Sequence, residues 1–125
     1  MKYLPIILLF TVTHLKAQAP IQIYADGLKQ FDLFNVKMNS TVSCYRIPAL
    51  VLAKNGDLIA AIDERGSSCA DLKANDNINI VMRNSKNNGK TWSDIRTLID
   101  YPVGRSASDP SFILDSITGA LFLFY

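Results

Sequence analysis

Tyr45-Arg46-Ile47-Pro48-Ala49-Leu50-Val51-Leu52-Ala53, then Lys54-Asn55-Gly56-Asp57, then Leu58-Ile59-Ala60-Ala61-Ile62 is the stretch that decides the fold. Two apolar runs of strand length flank Asn-Gly, the strongest short-range hairpin signal. The stretch reads as two antiparallel strands joined by a two-residue turn at Asn55-Gly56. Lys54 then faces Asp57, and paired residue numbers sum to 111. In that register Arg46 faces Arg65, and strand alternation puts both side chains on one face. Like charges in direct opposition are destabilising. Either both tips simply reach solvent, or an anion binds between the guanidiniums and makes the pair tolerable, because arginine offers a planar, bidentate fork for carboxylate.

The strand signals continue outward from this hairpin. Residues 77–83 alternate polar and apolar, a polar turn occupies 85–90, and residues 91–99 read as a fourth strand. A loop of small and polar residues at 101–108 leads to Phe112-Ile113-Leu114, a turn at 115–119 and a closing strand at 120–125. Residues 21–24 also alternate like a strand. No helical periodicity follows the first 19 residues. Four short strands, then the start of the same pattern, read as the repeated four-stranded blade of a β-propeller; a sandwich of short strands fits the pattern alone equally well.

Charge and cysteine content narrow the function classes. The chain has 125 residues, 13 Lys+Arg, 11 Asp+Glu, one histidine and two cysteines. Residues 1–19 read as an export leader. Lys2 gives the positive start, residues 4–12 are apolar but too short to span a bilayer, and Ala17-Gln18-Ala19 has the small-x-small form of a peptidase site. The domain reading is thus a signal peptide over 1–19 and one β domain over 20–125. His14 falls in the leader, which removes histidine catalysis and histidine metal ligation from the mature chain. Loss of Lys2 and Lys16 leaves basic and acidic residues balanced, so nothing points to nucleic acid or an anionic membrane. Cys44 and Cys69 permit one disulfide in an exported chain, and the same register sets Cys44 opposite Ser67, diagonal to Cys69. Two distant cysteines do not supply the roughly four ligands of a zinc site. The sequence stops at Leu121-Phe122-Leu123-Phe124-Tyr125, within an apolar strand, and is read as a piece of a longer protein.

Tyr45-Arg46-Ile47-Pro48, taken with Ser85-Lys86-Asn87-Asn88-Gly89-Lys90-Thr91-Trp92, resembles the opening of a bacterial-type exo-α-sialidase (neuraminidase). Arg46-Ile47-Pro48 matches the Arg-Ile-Pro motif of that family. The second stretch resembles its Asp box, Ser-x-Asp-x-Gly-x-Thr-Trp, with Asn87 in the aspartate position. The resemblance covers residues 45–125. It implies an all-β, six-bladed β-propeller of the sialidase type, of which this chain holds the first blade and the start of the second. It further implies an exported glycoside hydrolase that removes terminal sialic acid from glycoproteins, glycolipids or oligosaccharides, in the periplasm, at the cell surface or outside the cell. Sialidases retain configuration through a tyrosine nucleophile. That tyrosine, its glutamate partner and two further arginines are expected beyond Tyr125, so the 125 residues alone are expected to be inactive. No metal or organic cofactor, no nucleic acid and no stable membrane insertion after leader removal are expected. The rival reading is a non-catalytic Asp-box propeller that binds glycans or a protein partner.

The resemblance also assigns residues. Arg46 matches an arginine that holds the sialic acid carboxylate. Arg65, closing the second strand in Asp63-Glu64-Arg65, matches an arginine that holds the sugar near its O4 group. The family's general acid/base follows a few residues later. Asp71 matches it, with Asp76 of the same loop as rival; read alone, either is a solvated loop carboxylate or a turn cap. Asp109, in Ser108-Asp109-Pro110, matches an aspartate that contacts the bound sugar, and by itself reads as an Asp-Pro turn initiator.

Overall fold

The computed structural model describes residues 22–23 and 29–125; the leader expected over 1–19 lies outside them. The chain divides into two units, Met1–Leu33 and Phe34–Tyr125. In the first, strand β1 (Gln22–Ile23) pairs antiparallel with β2 (Lys29–Gln30).

The second unit is built from strands β3 (Cys44–Leu52), β4 (Leu58–Arg65), β5 (Ile78–Ser85), β6 (Arg96–Ile99), β7 (Ser111–Leu114) and β8 (Leu121–Phe124). Its helical content is confined to two 3₁₀ turns, Val36–Met38 and Leu72–Ala74. Strands β3 to β6 form a four-stranded antiparallel sheet in chain order, and β7 and β8 begin a separate one. A four-stranded meander followed by the first hairpin of the next sheet is the repeat of a propeller. Among the described residues no helix is long and apolar enough to cross a membrane.

Alternation along β4 explains the packing. Ile59, Ala61, Asp63 and Arg65 share one face. Ala61 sits with Ile80, Met82 and Ala107 in a buried cluster, and Ile59, Ile99, Phe112 and Leu123 pack against it. Apolar side chains near the turn end of the sheet therefore join it to the second hairpin. The same face turns charged toward the other end, at Asp63 and Arg65.

The register differs from the expected one in two places. The hairpin turn is not a two-residue Asn-Gly loop. Ala53 pairs with Asp57 through Ala53 N to Asp57 O at 2.8 Å, and Gly56 N donates to Ala53 O at 2.9 Å. The loop is therefore Lys54-Asn55-Gly56, a tight turn ending in a left-handed glycine, φ 87°. A two-residue type I′ turn would need left-handed backbone at Asn55 as well. The Asn55 side chain instead accepts a hydrogen bond from Asp57 N at 3.0 Å. The second difference is a bulge. Arg46 pairs with Asp63 and Ala49 with Ala61, so Ile47 and Pro48 together oppose Ile62. Pro48 has no N–H to give a ladder, and Ile47 takes φ 56°, a strained value for a β-branched residue.

Arg46 thus faces Asp63 rather than Arg65, and Cys44 faces Arg65 rather than Ser67. The two differences each shift the pairing by one residue. Each alone would reverse the faces; together they restore them, and Arg46 and Arg65 remain diagonal neighbours on one face.

The expected fourth strand, 91–99, forms its ladder only over Arg96–Ile99. Ser93 is engaged earlier: its N–H donates to Asn84 O at 2.9 Å, and its carbonyl accepts from Arg83 Nε at 2.6 Å. The preceding turn is closed by its own side chains. Ser85 Oγ accepts from Gly89 N at 2.9 Å, Asn87 Oδ1 accepts from Thr91 N at 2.8 Å, and Trp92 Nε1 donates to Gly89 O at 3.1 Å. Asn88 and Gly89 supply the left-handed backbone, φ 57° and 80°.

Replacing Gly56 by alanine forces a Cβ into that left-handed turn. The substitution is expected to cost about 1–2 kcal/mol, read as a lower urea midpoint with an unchanged slope. An unchanged midpoint would contradict the turn geometry.

Candidate functional site

The charged end of the β3–β4 hairpin opens into a pocket of about 340 Å³. Arg46, Ile47 and Arg65 line it from the hairpin. Asp71, Leu72 and Lys73 line it from the next loop, and Ser108 and Asp109 from the segment before β7. The four residues singled out in the sequence, Arg46, Arg65, Asp71 and Asp109, all border this pocket. Asp76 does not line it; its carbonyl accepts from Gly104 N at 3.0 Å.

One carboxylate oxygen organises the centre. Asp71 Oδ1 accepts from Arg65 Nη1 at 2.8 Å and from Arg46 Nη1 at 3.1 Å. Both guanidiniums also donate to the Cys69 carbonyl, at 3.3 and 3.1 Å. The two arginines differ in access. The Arg46 side chain is 43% exposed, whereas that of Arg65 is 1% exposed and lies beneath Asp71, itself 75% exposed. In this state Arg46 is the arginine open to a ligand, and Arg65 is covered by the aspartate it holds. The hydrogen bond from Arg65, reinforced by the charge of Arg46, keeps the Asp71 carboxyl below the ordinary carboxylate range. Burial alone would depress Arg65, but hydrogen bonds and charge from Asp71 and Asp63 outweigh it and raise its pKa.

The loop that carries Asp71 is fixed at three points. Cys44 and Cys69 form the expected disulfide, with Cα atoms 5.6 Å apart. Arg65 Nη1 donates to Ala70 O at 2.6 Å. Buried Asn75 donates to Ser68 O at 2.8 Å and accepts from Ser67 Oγ at 2.9 Å and from Asn77 N at 3.1 Å.

The sequence reading gave no role to Asp63, which is wholly buried. Asp63 Oδ2 accepts from Arg65 Nη2 at 2.9 Å and from Ser108 Oγ at 2.6 Å, and Oδ1 accepts from Asp109 N at 3.0 Å. Asp109 holds φ 60°. The available signal was a charge pair at i and i+2, on the face where β4 is otherwise apolar.

The other face of the hairpin carries Tyr45, paired with Glu64, whose Oε2 accepts from the Tyr45 hydroxyl at 3.2 Å. Burial and the adjacent Glu64 charge push the phenol well above its usual range. Alternation turns this pair away from the pocket, and neither residue lines it.

No protein-family model matches the chain. It is 34% identical over 85 residues to the sialidase of Micromonospora viridifaciens, a match covering 65% of this chain and 12% of that protein. It is 35% identical over 101 residues to the anhydrosialidase of Macrobdella decora, covering 64% of this chain and 13% of that one. The chain therefore spans only a small part of the length of these relatives. Its backbone matches the crystal structure of the intramolecular trans-sialidase from Ruminococcus gnavus in complex with oseltamivir carboxylate. That match has a TM-score of 0.63 and 25% identity, over 74% of this chain and 23% of the other. The four-stranded sheet and the hairpin after it are accordingly a blade and the start of the next in a sialidase-type propeller.

Asp71 has a folded pKa below its unfolded one, so its pairing supports the fold above the ordinary value of 3.8. That support is lost as pH falls through the lowered folded value. A carboxyl-detected NMR titration should place the Asp71 midpoint below 3.8, and Arg46→Ala should move it upward. A midpoint insensitive to Arg46→Ala would count against the two-arginine geometry. Thiol titration of the denatured, unreduced protein should find neither Cys44 nor Cys69 free.

Proposed function

We propose that this chain, a partial homologue of the bacterial-type sialidases, is the part of an exported exo-α-sialidase that carries its general acid/base and a first share of its substrate site. The observation that carries the reading is the Asp71 carboxylate held between Arg46 and Arg65 at the mouth of a pocket bordered by Asp109. A carboxylate already occupies the arginines there, and a sialic acid carboxylate is chemically equivalent to it. The substrates are terminal sialic acids on glycoproteins, glycolipids or oligosaccharides.

Arg46, the accessible arginine, takes the substrate carboxylate in its fork. The incoming anion competes with Asp71 for that guanidinium. Asp71 loses cationic support and gains an anionic neighbour, and both changes raise its proton affinity. Substrate binding thus turns an ionised aspartate into an acid able to protonate the leaving glycan oxygen and later to accept a proton from water. As Asp71 moves off, Arg65 Nη1 is uncovered for a sugar hydroxyl near O4. Asp109 accepts a hydrogen bond from the sugar at the opposite wall. Hydrolysis proceeds with retention, through a tyrosine nucleophile supplied from outside these 125 residues, and the chain alone is inactive. A neutral phenol approaches an anionic sugar without the repulsion a carboxylate would meet.

Residues 1–19 act as the export signal, and the protein works in the periplasm, at the cell surface or outside the cell. The 85–92 turn serves as a degenerate Asp box, remote from the pocket and structural in role. A non-catalytic glycan-binding propeller has no use for an aspartate poised between two arginines.

The test is the leaving-group dependence of Asp71→Ala in the full-length protein. Cleavage of natural sialosides should fall by about 10²–10⁴-fold, the usual worth of general acid–base help. Cleavage of an activated aryl sialoside, which departs without protonation, should fall far less. Asp76→Ala should show no such dependence. Equal losses on both substrates would overturn the acid assignment.

A further inference from the structure

We propose that Asp63 is the positioning residue of this pocket: buried beneath it, the carboxylate fixes Arg65 from the first hairpin and the Ser108-Asp109 segment before the second at once. This deepens the sialidase reading and rests on it for the identity of the ligand.

Both oxygens of Asp63 are committed. Oδ2 accepts from Arg65 Nη2 at 2.9 Å and Ser108 Oγ at 2.6 Å, and Oδ1 from Asp109 N at 3.0 Å. The residue has no solvent exposure, so it touches no ligand. Its partners do face the pocket. Asp109 is exposed and sits at φ 60°, a backbone that a residue other than glycine adopts at a cost. The hydrogen bond from its N–H to Asp63 holds it there. Asp63 also fixes Arg65 against swinging. Nη2 donates to Asp63, while Nη1 donates to Ala70 O, Cys69 O and Asp71. A buried carboxylate without its partners is strongly unfavourable. The three hydrogen bonds therefore form together, and one wall of the pocket cannot shift without the other.

A positioning role and a merely electrostatic one differ in sign at Asp71. Arg46, Arg65 and Lys73 are the cations around Asp71, and Asp63 and Asp109 the neighbouring anions. If Asp63 acted only as a negative charge, Asp63→Asn would remove repulsion and lower the Asp71 midpoint. If Asp63 holds Arg65 in place, the substitution removes the Nη2 anchor, the guanidinium loses its aim at Asp71 and the midpoint rises.

The experiment uses the full-length protein carrying Asp63→Asn, Asp109→Ala, or both. Without ligand, the Asp71 midpoint should rise by NMR titration; a midpoint that falls or stays overturns the proposal. With N-acetylneuraminic acid as probe, Asp63→Asn should weaken binding roughly tenfold. Asp109→Ala should then add much less in the Asp63→Asn background than alone. Independent, multiplicative losses would overturn the coupling. Should Asp63→Asn fail to fold, Ser108→Ala removes a single tie and leaves the ion pair. It should show the same non-additivity with Asp109→Ala, and additive losses there count equally against the proposal. If the unmodified protein binds no N-acetylneuraminic acid, the sialidase reading fails, while the ligand-free titration still decides the role of Asp63.

Discussion

Arg65 and Asp63 bury a full ion pair, 1% and 0% exposed, at the end of a strand whose other half is apolar. Taking two charges out of water costs several kcal/mol per ion unless geometry and further hydrogen bonds compensate. Here they do on one side of the pair. Every polar atom of Asp63 is engaged, and Arg65 gives Nη1 to Ala70 O, Cys69 O and Asp71. Of the guanidinium nitrogens, Arg65 Nε finds no hydrogen-bond partner among the described residues. This pair is what the site is hung from. One end of it reaches the loop of Asp71, and the other reaches the segment of Asp109.

The bulge at Ile47 and Pro48 is the complementary constraint. Without it, the turn at Lys54-Asn55-Gly56 would send Arg46 to the far face of the hairpin. The chain accepts a β-branched residue at φ 56° to return Arg46 to the pocket side. Backbone strain of this kind, of order 1–3 kcal/mol, persists where the surroundings over-determine it. Here the ladder resumes on both sides, at Arg46–Asp63 and Ala49–Ala61.

Between these two fixed elements lies the loop of Asp71, tethered at its base and open at its tip. The disulfide, Asn75 and the Arg65 guanidinium hold its backbone, while the Asp71 side chain stays largely exposed. That division suits the role proposed for Asp71, in which it yields its arginine partner to a ligand. The backbone need not reorganise, and only a side chain need turn.

Strand positions were legible because they depend on local pattern. Apolar runs, an Asn-Gly turn and an alternating segment place β3, β4, β5, β7 and β8 within a few residues. The four candidate site residues were legible through their resemblance to family motifs, and the pocket gathers all four. What the sequence could not provide was register. A three-residue loop and a bulge depend on hydrogen bonds between strands, such as Ala53 to Asp57, and no local propensity announces them. The expected face for Arg46 and Arg65 came out correct because two one-residue shifts cancelled. The late start of β6 has the same origin, since Ser93 is claimed by Asn84 and Arg83 across the sheet. Asp63 was missed because its meaning lies in Ser108 and Asp109, more than forty positions away. The sequence by itself determined where most strands of the sheet and of the hairpin after it lie and which charged residues stand at their ends. The tertiary structure alone decided which of those charges meet. Local pattern acts within a few residues, whereas a buried carboxylate is satisfied only by donors that folding brings from elsewhere in the chain.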